Sequence, residues 1–258
     1  MNLTTSTVLS DTWVIVIIAF LVNILASVLL ISCPSSASST VGTKVLREVR
    51  RKGFHINGFL YPSMYYILYR KEVVTKSQCV LLSCMFSIIF ALFELLRLLF
   101  PTFNRLAVRY LKRVMRKKER NTVTNLFHFA NGAAVTTLLF PPAATMIGMA
   151  DVVVGDIAAA LTGVAFGKIR IKGKKTLEGT LGCIVACFLM AFVFSSVALE
   201  APLYAAFIIG TISSLFATIA ELYADSRLDD NFIMPIAGAF GCVVAVSVFD
   251  LPVSFWNL

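Results

Sequence analysis

Residues 155–182 read GDIAAALTGVAFGKIRIKGKKTLEGTLG, and their surroundings decide the fold. The stretch holds Asp156, the basic residues Lys168, Arg170, Lys172, Lys174 and Lys175, then Glu178, with six glycines among them. Before it stands TMIGMADVVV and after it CIVACFLMAFVF, both with the composition of membrane spans. Charge thus interrupts apolar chain where lipid is expected, and the rest of the sequence says which part leaves the bilayer.

The chain has 258 residues, of which 58% are hydrophobic and 14% charged, and its mean hydropathy is +0.85. A soluble domain is about half apolar and a quarter charged, so the composition is that of a polytopic membrane protein. The formal net charge is +9. Cytosolic loops rich in Lys and Arg account for such a surplus, and so does an anionic partner: nucleotide, phosphate or acidic lipid headgroup. No soluble stretch is large enough for a nucleic-acid-binding domain, so no nucleic acid is expected as a partner. The six cysteines show no CxxC and no Cys/His pair at zinc spacing, and read as small core residues.

Eight candidate spans follow: 12–32, 55–69, 78–99, 123–140, 143–166, 180–199, 203–222 and 232–250, the second and fourth being short or polar. The expected fold is all-α: a polytopic membrane protein of about eight transmembrane helices plus one interfacial amphipathic helix, forming a single integral membrane domain over residues 1–258. Residues 1–40 hold a lumenal tail and the first span. That span follows an uncharged Ser/Thr-rich head, without the basic start of a cleaved signal peptide.

The loops 41–54, 101–122, 167–179 and 223–231 carry nineteen of the 23 Lys and Arg, whereas the alternating loops carry three, Arg70, Lys71 and Lys76, all in the first of them. The basic loops are therefore expected in the cytosol and both termini on the other side, where the Asn2 sequon NLT would be lumenal. Segment 101–120, PTFNRLAVRYLKRVMRKKER, segregates Phe103, Leu106, Tyr110 and Leu111 from Arg105, Arg109 and Lys112 at helical spacing. It is expected to lie on the membrane surface, either as a topology anchor or in contact with anionic phospholipid.

Carboxylates in spans are costly and mark candidate sites. Glu94, Asp156, Glu221 and Asp225 fall toward the ends that carry the basic loops, and Asp151 lies nearer mid-membrane. Carboxylates for a divalent cation beside cations for phosphate are what a nucleotide site requires. The basic stretch is not a Walker A loop. Five residues separate Gly167 from Gly173, and Lys175 stands where Ser or Thr is required. Glu94 and Arg97, three apart, are expected to pair.

The order GDIAAALTGVAFGK…GKKTLEGT resembles the signature of phosphatidate cytidylyltransferases and of the related CTP-dependent lipid kinases of diacylglycerol, polyprenol/dolichol and phytol. VRRKGFH (49–55) resembles the RK-x-x-H motif of the kinase branch, and AELYADSRLDDNFIMPI (220–236) its acidic segment ending in DN-x-x-x-P. ALFELLRLLFPTFN followed by MRKKE is similar to the fungal-type CTP-dependent diacylglycerol kinases in particular. The resemblance spans residues 45–245, a lipid-kinase core. It departs after MRKKE, where RNTVTNLFHFANGA brings extra polar residues, and at Gly155, where several relatives have Ser.

The resemblance implies CTP as phosphoryl donor, Mg2+ or Ca2+ as cofactor and diacylglycerol or another lipid alcohol as acceptor. The membrane implied is the endoplasmic reticulum or nuclear envelope, with the active site facing the cytosol. It implies phosphate binding by Arg51 and Lys52, and either proton abstraction or phosphate binding by His55. Asp156 would hold the metal, with Glu221, Asp225 and Asp230 as further candidates. Gly163, Lys168, Lys174, Lys175, Thr176, Glu178 and Gly179 would hold CTP, with Glu178 either a metal ligand or the residue that orients Lys175. A capping role competes for the Asp225–Asp230 cluster. Other readings are a polyprenol or phytol kinase, a phosphatidate cytidylyltransferase, or a phosphate or nucleotide transporter. The kinase-branch motifs speak against the second of these, and the absence of repeated halves against the third.

Overall fold

The computed structural model describes residues 60–111, 118–225 and 228–253, with the single residues Val45, Gly58 and Met115. The expected first span at 12–32, Asn2, Cys33, and the motif residues Arg51, Lys52 and His55 lie outside the described residues. Eight α-helices are described: α1 Leu60–Arg70, α2 Lys76–Leu99, α3 Pro101–Leu111, α4 Asn125–Leu139, α5 Pro142–Phe166, α6 Leu177–Val193, α7 Leu203–Tyr223 and α8 Asp230–Val248. The protein is an all-α polytopic membrane protein. Among the described residues, α2, α5, α6 with its continuation to Ala198, α7 and α8 are long and apolar enough to cross a bilayer.

Of the two weak candidate spans, the fourth is shorter than a bilayer, and the second is described only from Leu60 onward. Helix α4 has 15 residues, roughly 22 Å against a hydrocarbon core of roughly 30 Å. It buries Ala130, Gly132, Ala133, Ala134, Thr136 and Thr137, which explains its tolerance of polar residues: it faces protein. Helix α1 is described for 11 residues and buries Pro62, Tyr65 and Tyr66. The helix expected over 101–120 is described only for its first part, α3, followed by one short turn at Lys118–Arg120.

Helix α2 shows why the sequence folds as it does in lipid. Its buried residues are Cys79, Ser83, Ser87, Glu94 and Arg97, while Leu81, Leu82, Ile88, Ile89, Leu92 and Leu99 are exposed. The apolar face turns outward to acyl chains and the polar positions turn inward, where Ser87 donates to Asn131 Oδ1 at 2.9 Å. Thr75 and Gln78 close its start as a capping box.

Helix α5 is the axis of the bundle, with an unbroken buried run from Pro142 to Val153. Helices α6 and α8 flank it, and α7 packs against both of those flanking helices. The α5–α8 crossing depends on Gly148, where an added Cβ would stand 2.2 Å from the Pro235 carbonyl oxygen and 2.7 Å from the Ala239 nitrogen. Small residues permit that approach. At the same level Ser213 of α7 donates to Asp151 Oδ2 at 2.8 Å. This polar contact separates a larger apolar cluster around Ile147, Ile209 and Ala245 from a smaller one around Val152, Cys183, Cys187 and Met234. The described cysteines are all free, and Cys79, Cys183, Cys187 and Cys242 are buried core residues, as expected.

Two ends of the bundle are distinguishable. At one, Tyr66 Oη and Arg70 Nη1 both donate to the Ala198 carbonyl, at 3.0 and 2.9 Å, and Arg70 approaches Glu200. This joins two connections that the loop-charge alternation assigns to the same side. At the other end, Arg97 is fully buried and pairs with Glu94 Oε2 at 2.5 Å, as its spacing led us to expect. Its guanidinium also donates to Asn104 Oδ1 at 3.0 Å and to the carbonyls of Glu119, Arg120 and Thr122. Thr124 Oγ1 donates to Glu94 Oε1 at 2.7 Å. One ion pair thus fastens the end of α2, the start of α3 and the start of α4.

Arg97→Met would strand the Glu94 carboxylate. Breaking a buried pair from one side costs about 3–5 kcal/mol, so the melting temperature in detergent is expected to fall steeply and to recover in part in R97M/E94Q. An unchanged melting temperature for R97M would refute this anchoring role.

Candidate active site

The stretch that follows α5 folds as a hairpin. Arg170–Lys172 pairs antiparallel with Lys175–Thr176, Arg170 opposite Thr176 and Lys172 opposite Lys175. The sequence reading expected only a loop here. The alternation of Ile169 and Ile171 with basic residues suits short strands, and Gly173, at φ 58°, supplies the left-handed turn residue. The hairpin leads straight into α6, whose N-cap Thr176 accepts the Gly179 N–H at 3.2 Å.

Its base is fixed by close helix contact. A Cβ on Gly179 would stand 2.9 Å from the Ala159 carbonyl and 3.4 Å from the Gly163 Cα. Ala159, Gly163 and Gly179 therefore let the end of α5 touch the start of α6, which is the structural reading of that small-residue run.

Lys175 is the hairpin residue most firmly placed. Its Nζ lies 2.8 Å from Glu221 Oε1 and also donates to the Glu221 carbonyl, near the end of α7. Glu178 has a different part. Both its oxygens lie 3.3 Å from the Ile169 N–H, so it holds the root of the hairpin, while the carboxylate on Lys175 belongs to Glu221. Lys172 donates to the Tyr223 carbonyl at 3.3 Å, with its ammonium 4.7 Å from the Tyr223 ring centre. Lys168, Arg170 and Lys174 are exposed.

The candidate acidic residues do not form one cluster: Glu221, Asp225, Asp229 and Asp230 lie at or near this end, and Asp156 lies deeper. Asp156 is buried in α5, ten residues, or roughly 15 Å, before the helix ends at Phe166. Glu221 is buried beside Lys175. Asp225 does not share the helical face of Glu221, because α7 ends at Tyr223. It lies in the following turn, where its Oδ1 accepts the Leu228 N–H at 3.0 Å.

Asp229 caps α8 by accepting the Asn231 N–H at 3.1 Å, and the buried Asn231 amide bridges Asp229 Oδ1 and Asp230 Oδ1 at 2.8 and 2.9 Å. Burial disfavours the Asp229 carboxylate, but the Asn231 hydrogen bonds outweigh it and its pKa falls below the usual carboxylate value. The capping role weighed for this cluster is therefore realised at Asp229.

Among the described residues no three His, Cys, Asp or Glu side chains form a ready-made metal-ligand group. A hard cation shared with nucleotide phosphates needs only one or two carboxylates, so the donor set remains compatible with one. Two polar residues of the departing segment are accounted for within α4: His128 stacks edge-on to Phe127, and Asn131 meets Ser87.

At this end the structure brings together the cationic hairpin, the start of α6 and the buried Glu221, while Asp156 lies deeper, near the middle of α5. The sequence model of the cytidylyltransferase family matches residues 5–226. The chain belongs to that family. Two relatives extend the comparison. An uncharacterised protein of Rickettsia prowazekii is 24% identical over 194 residues, covering 74% of this chain and 90% of that protein. The CTP-dependent diacylglycerol kinase 1 of Saccharomyces cerevisiae is 26% identical over 221 residues, covering 78% of this chain and 74% of the kinase. No solved structure matches. Family membership and the yeast relative together point to CTP-dependent lipid kinase or related activity.

The family relationship was legible in four sequence motifs. Two partnerships were not: Lys175 with Glu221, and Lys172 with Tyr223. Both are formed across about fifty residues of chain, and no local spacing signals them.

Proposed function

We propose that this protein is a CTP-dependent lipid kinase that transfers the γ-phosphoryl group of CTP to the hydroxyl of diacylglycerol, yielding phosphatidate. The observation that carries the reading is the Lys175–Glu221 pair. It presents a fixed ammonium at the rim of the basic hairpin, on the bundle end toward which Asp156 lies. The name of the yeast relative supports the choice of donor and acceptor, and the loop-charge asymmetry supports a cytosol-facing site.

In this reading the lipid hydroxyl oxygen attacks the γ-phosphorus in line. The bond from that phosphorus to the bridging oxygen breaks, and CDP leaves. The hydroxyl proton passes to a base, for which His55 and the acidic cluster around Asp225 and Asp230 are the candidates. Lys174, Lys175 and Thr176 hold the phosphates, aided by Arg51, Lys52 and Lys168, while Gly163 and Gly179 keep the hairpin against α5. A divalent cation, Mg2+ or Ca2+, bound through Asp156 and carboxylates among Glu221, Asp225 and Asp230, would neutralise phosphate charge. The remaining catalysis is positioning of two substrates that meet at the interface, CTP from the water and the alcohol from the bilayer.

Purified full-length protein, given diacylglycerol vesicles, γ-labelled CTP and Mg2+, is expected to form labelled phosphatidate. Label on dolichol or phytol alone would move the acceptor. Incorporation of base-labelled cytidine into lipid would replace kinase by cytidylyltransferase, the activity in the family's name. Inertness toward every alcohol and toward phosphatidate would favour transport.

A further inference from the structure

Helix α3 carries a groove of about 550 Å3 lined by Phe100, Thr102, Phe103, Arg105, Leu106 and Arg109. Its members divide by chemistry. Phe100 and Leu106 are half exposed or more and continue the bare apolar face of α2, which puts the groove at the level where acyl chains meet headgroups. Phe103 is held edge-on against Phe93 of α2, with ring centres 5.7 Å apart. Arg105 and Arg109 stand one helical turn apart and are exposed, and Arg105 Nη2 lies 3.3 Å from Thr102 Oγ1. Two guanidinium groups and a hydroxyl beside an apolar trough match a phosphate with acyl chains attached.

The support beneath is rigid. Asn104, on the intervening turn, accepts from the fully buried Arg97 and donates to the Arg120 carbonyl at 2.9 Å. The groove is therefore held in place and not left as a free amphipathic segment.

We propose that Thr102, Arg105 and Arg109 form a specific binding site for the headgroup phosphate of an anionic phospholipid, separate from the hairpin site, with one acyl chain along Phe100, Phe103 and Leu106. Charge complementarity selects the headgroup: zwitterionic lipid carries a compensating cation that two arginines repel, and an anionic lipid does not. Guanidinium groups also bind phosphate oxygens in pairs, which a lysine cannot do. The site stands independently of the kinase reading, since it uses none of the hairpin or carboxylate residues.

Native mass spectrometry of the full-length protein, exchanged against equal phosphatidylglycerol and phosphatidylcholine, tests it. Wild type is expected to retain phosphatidylglycerol preferentially. A basic residue near an anionic surface contributes roughly fivefold in affinity, so Arg105→Ala with Arg109→Ala should cut the preference about thirtyfold. The corresponding double change to Lys preserves charge but loses the paired guanidinium hydrogen bonds, and should fall between wild type and the alanine pair. Equal retention of both lipids by wild type would overturn the proposal. So would an alanine pair that keeps the preference, or a lysine pair that loses as much as the alanine pair.

Discussion

Asp156→Asn is expected to lower turnover by at least about a thousandfold while leaving the protein inserted and folded. The change is isosteric, so the contacts around the buried Asp156 keep their shape. What disappears is one negative charge in a low-dielectric site, where a charge that steadies a cation or a proton acts far more strongly than in water. Span carboxylates are expensive to maintain. Asn at this position should therefore raise the melting temperature or leave it unchanged. Activity with γ-labelled CTP and melting in detergent should be measured on the same preparation. Wild-type turnover in the variant would remove Asp156 from the site, and a collapse of the fold would make it a structural residue.

Lys175→Ala should be nearly as severe, with kcat/KM for CTP falling about a thousandfold or more, the order seen when a cation on a transferring phosphoryl group is lost. It should also destabilise, because Glu221 loses the ammonium 2.8 Å away while remaining buried. Stranding such a group costs about 1–3 kcal/mol. Adding Glu221→Gln removes the stranded charge, so the double variant should regain stability without regaining activity. That split separates the two roles of Lys175. A residue that only tied α7 to the hairpin would lose stability and activity together, and both would return in the double variant. Glu221→Gln alone keeps a hydrogen-bond partner for Lys175 and is expected to cost about tenfold in kcat/KM.

Much of this architecture could be read from the chain because lipid imposes local rules. Long apolar runs must be helices, since unpaired backbone is too costly in hydrocarbon. That rule located α2, α5, α6, α7 and α8 within a few residues of their observed ends. It gave only a weak candidate at α4, because a helix shielded by protein and one immersed in lipid are both mostly apolar. Only burial shows that Thr136 and Thr137 face neighbours. The i,i+3 spacing of Glu94 and Arg97 announced their pair, whereas the four further oxygens around Arg97 come from Asn104 and from the chain after α3.

Residue types and their order settled that this is a membrane protein, that its cations lie on alternate loops, and that GDIAAALTGVAFGK…GKKTLEGT belongs to a family of cytidine-nucleotide enzymes. The first two follow from composition and local spacing and the third from resemblance to a known family, none of which tertiary contacts alter. The partners of each charge were decided by folding. Glu221 holds Lys175, Glu178 holds the hairpin root, Asp225 leaves the helix, and Asp229 caps α8. The reason is reach: a hydrogen bond or ion pair needs its partners within about 3–4 Å. Which residues come that close across a bundle is set by where α5, α6 and α7 touch, through contacts such as Gly163 against Gly179.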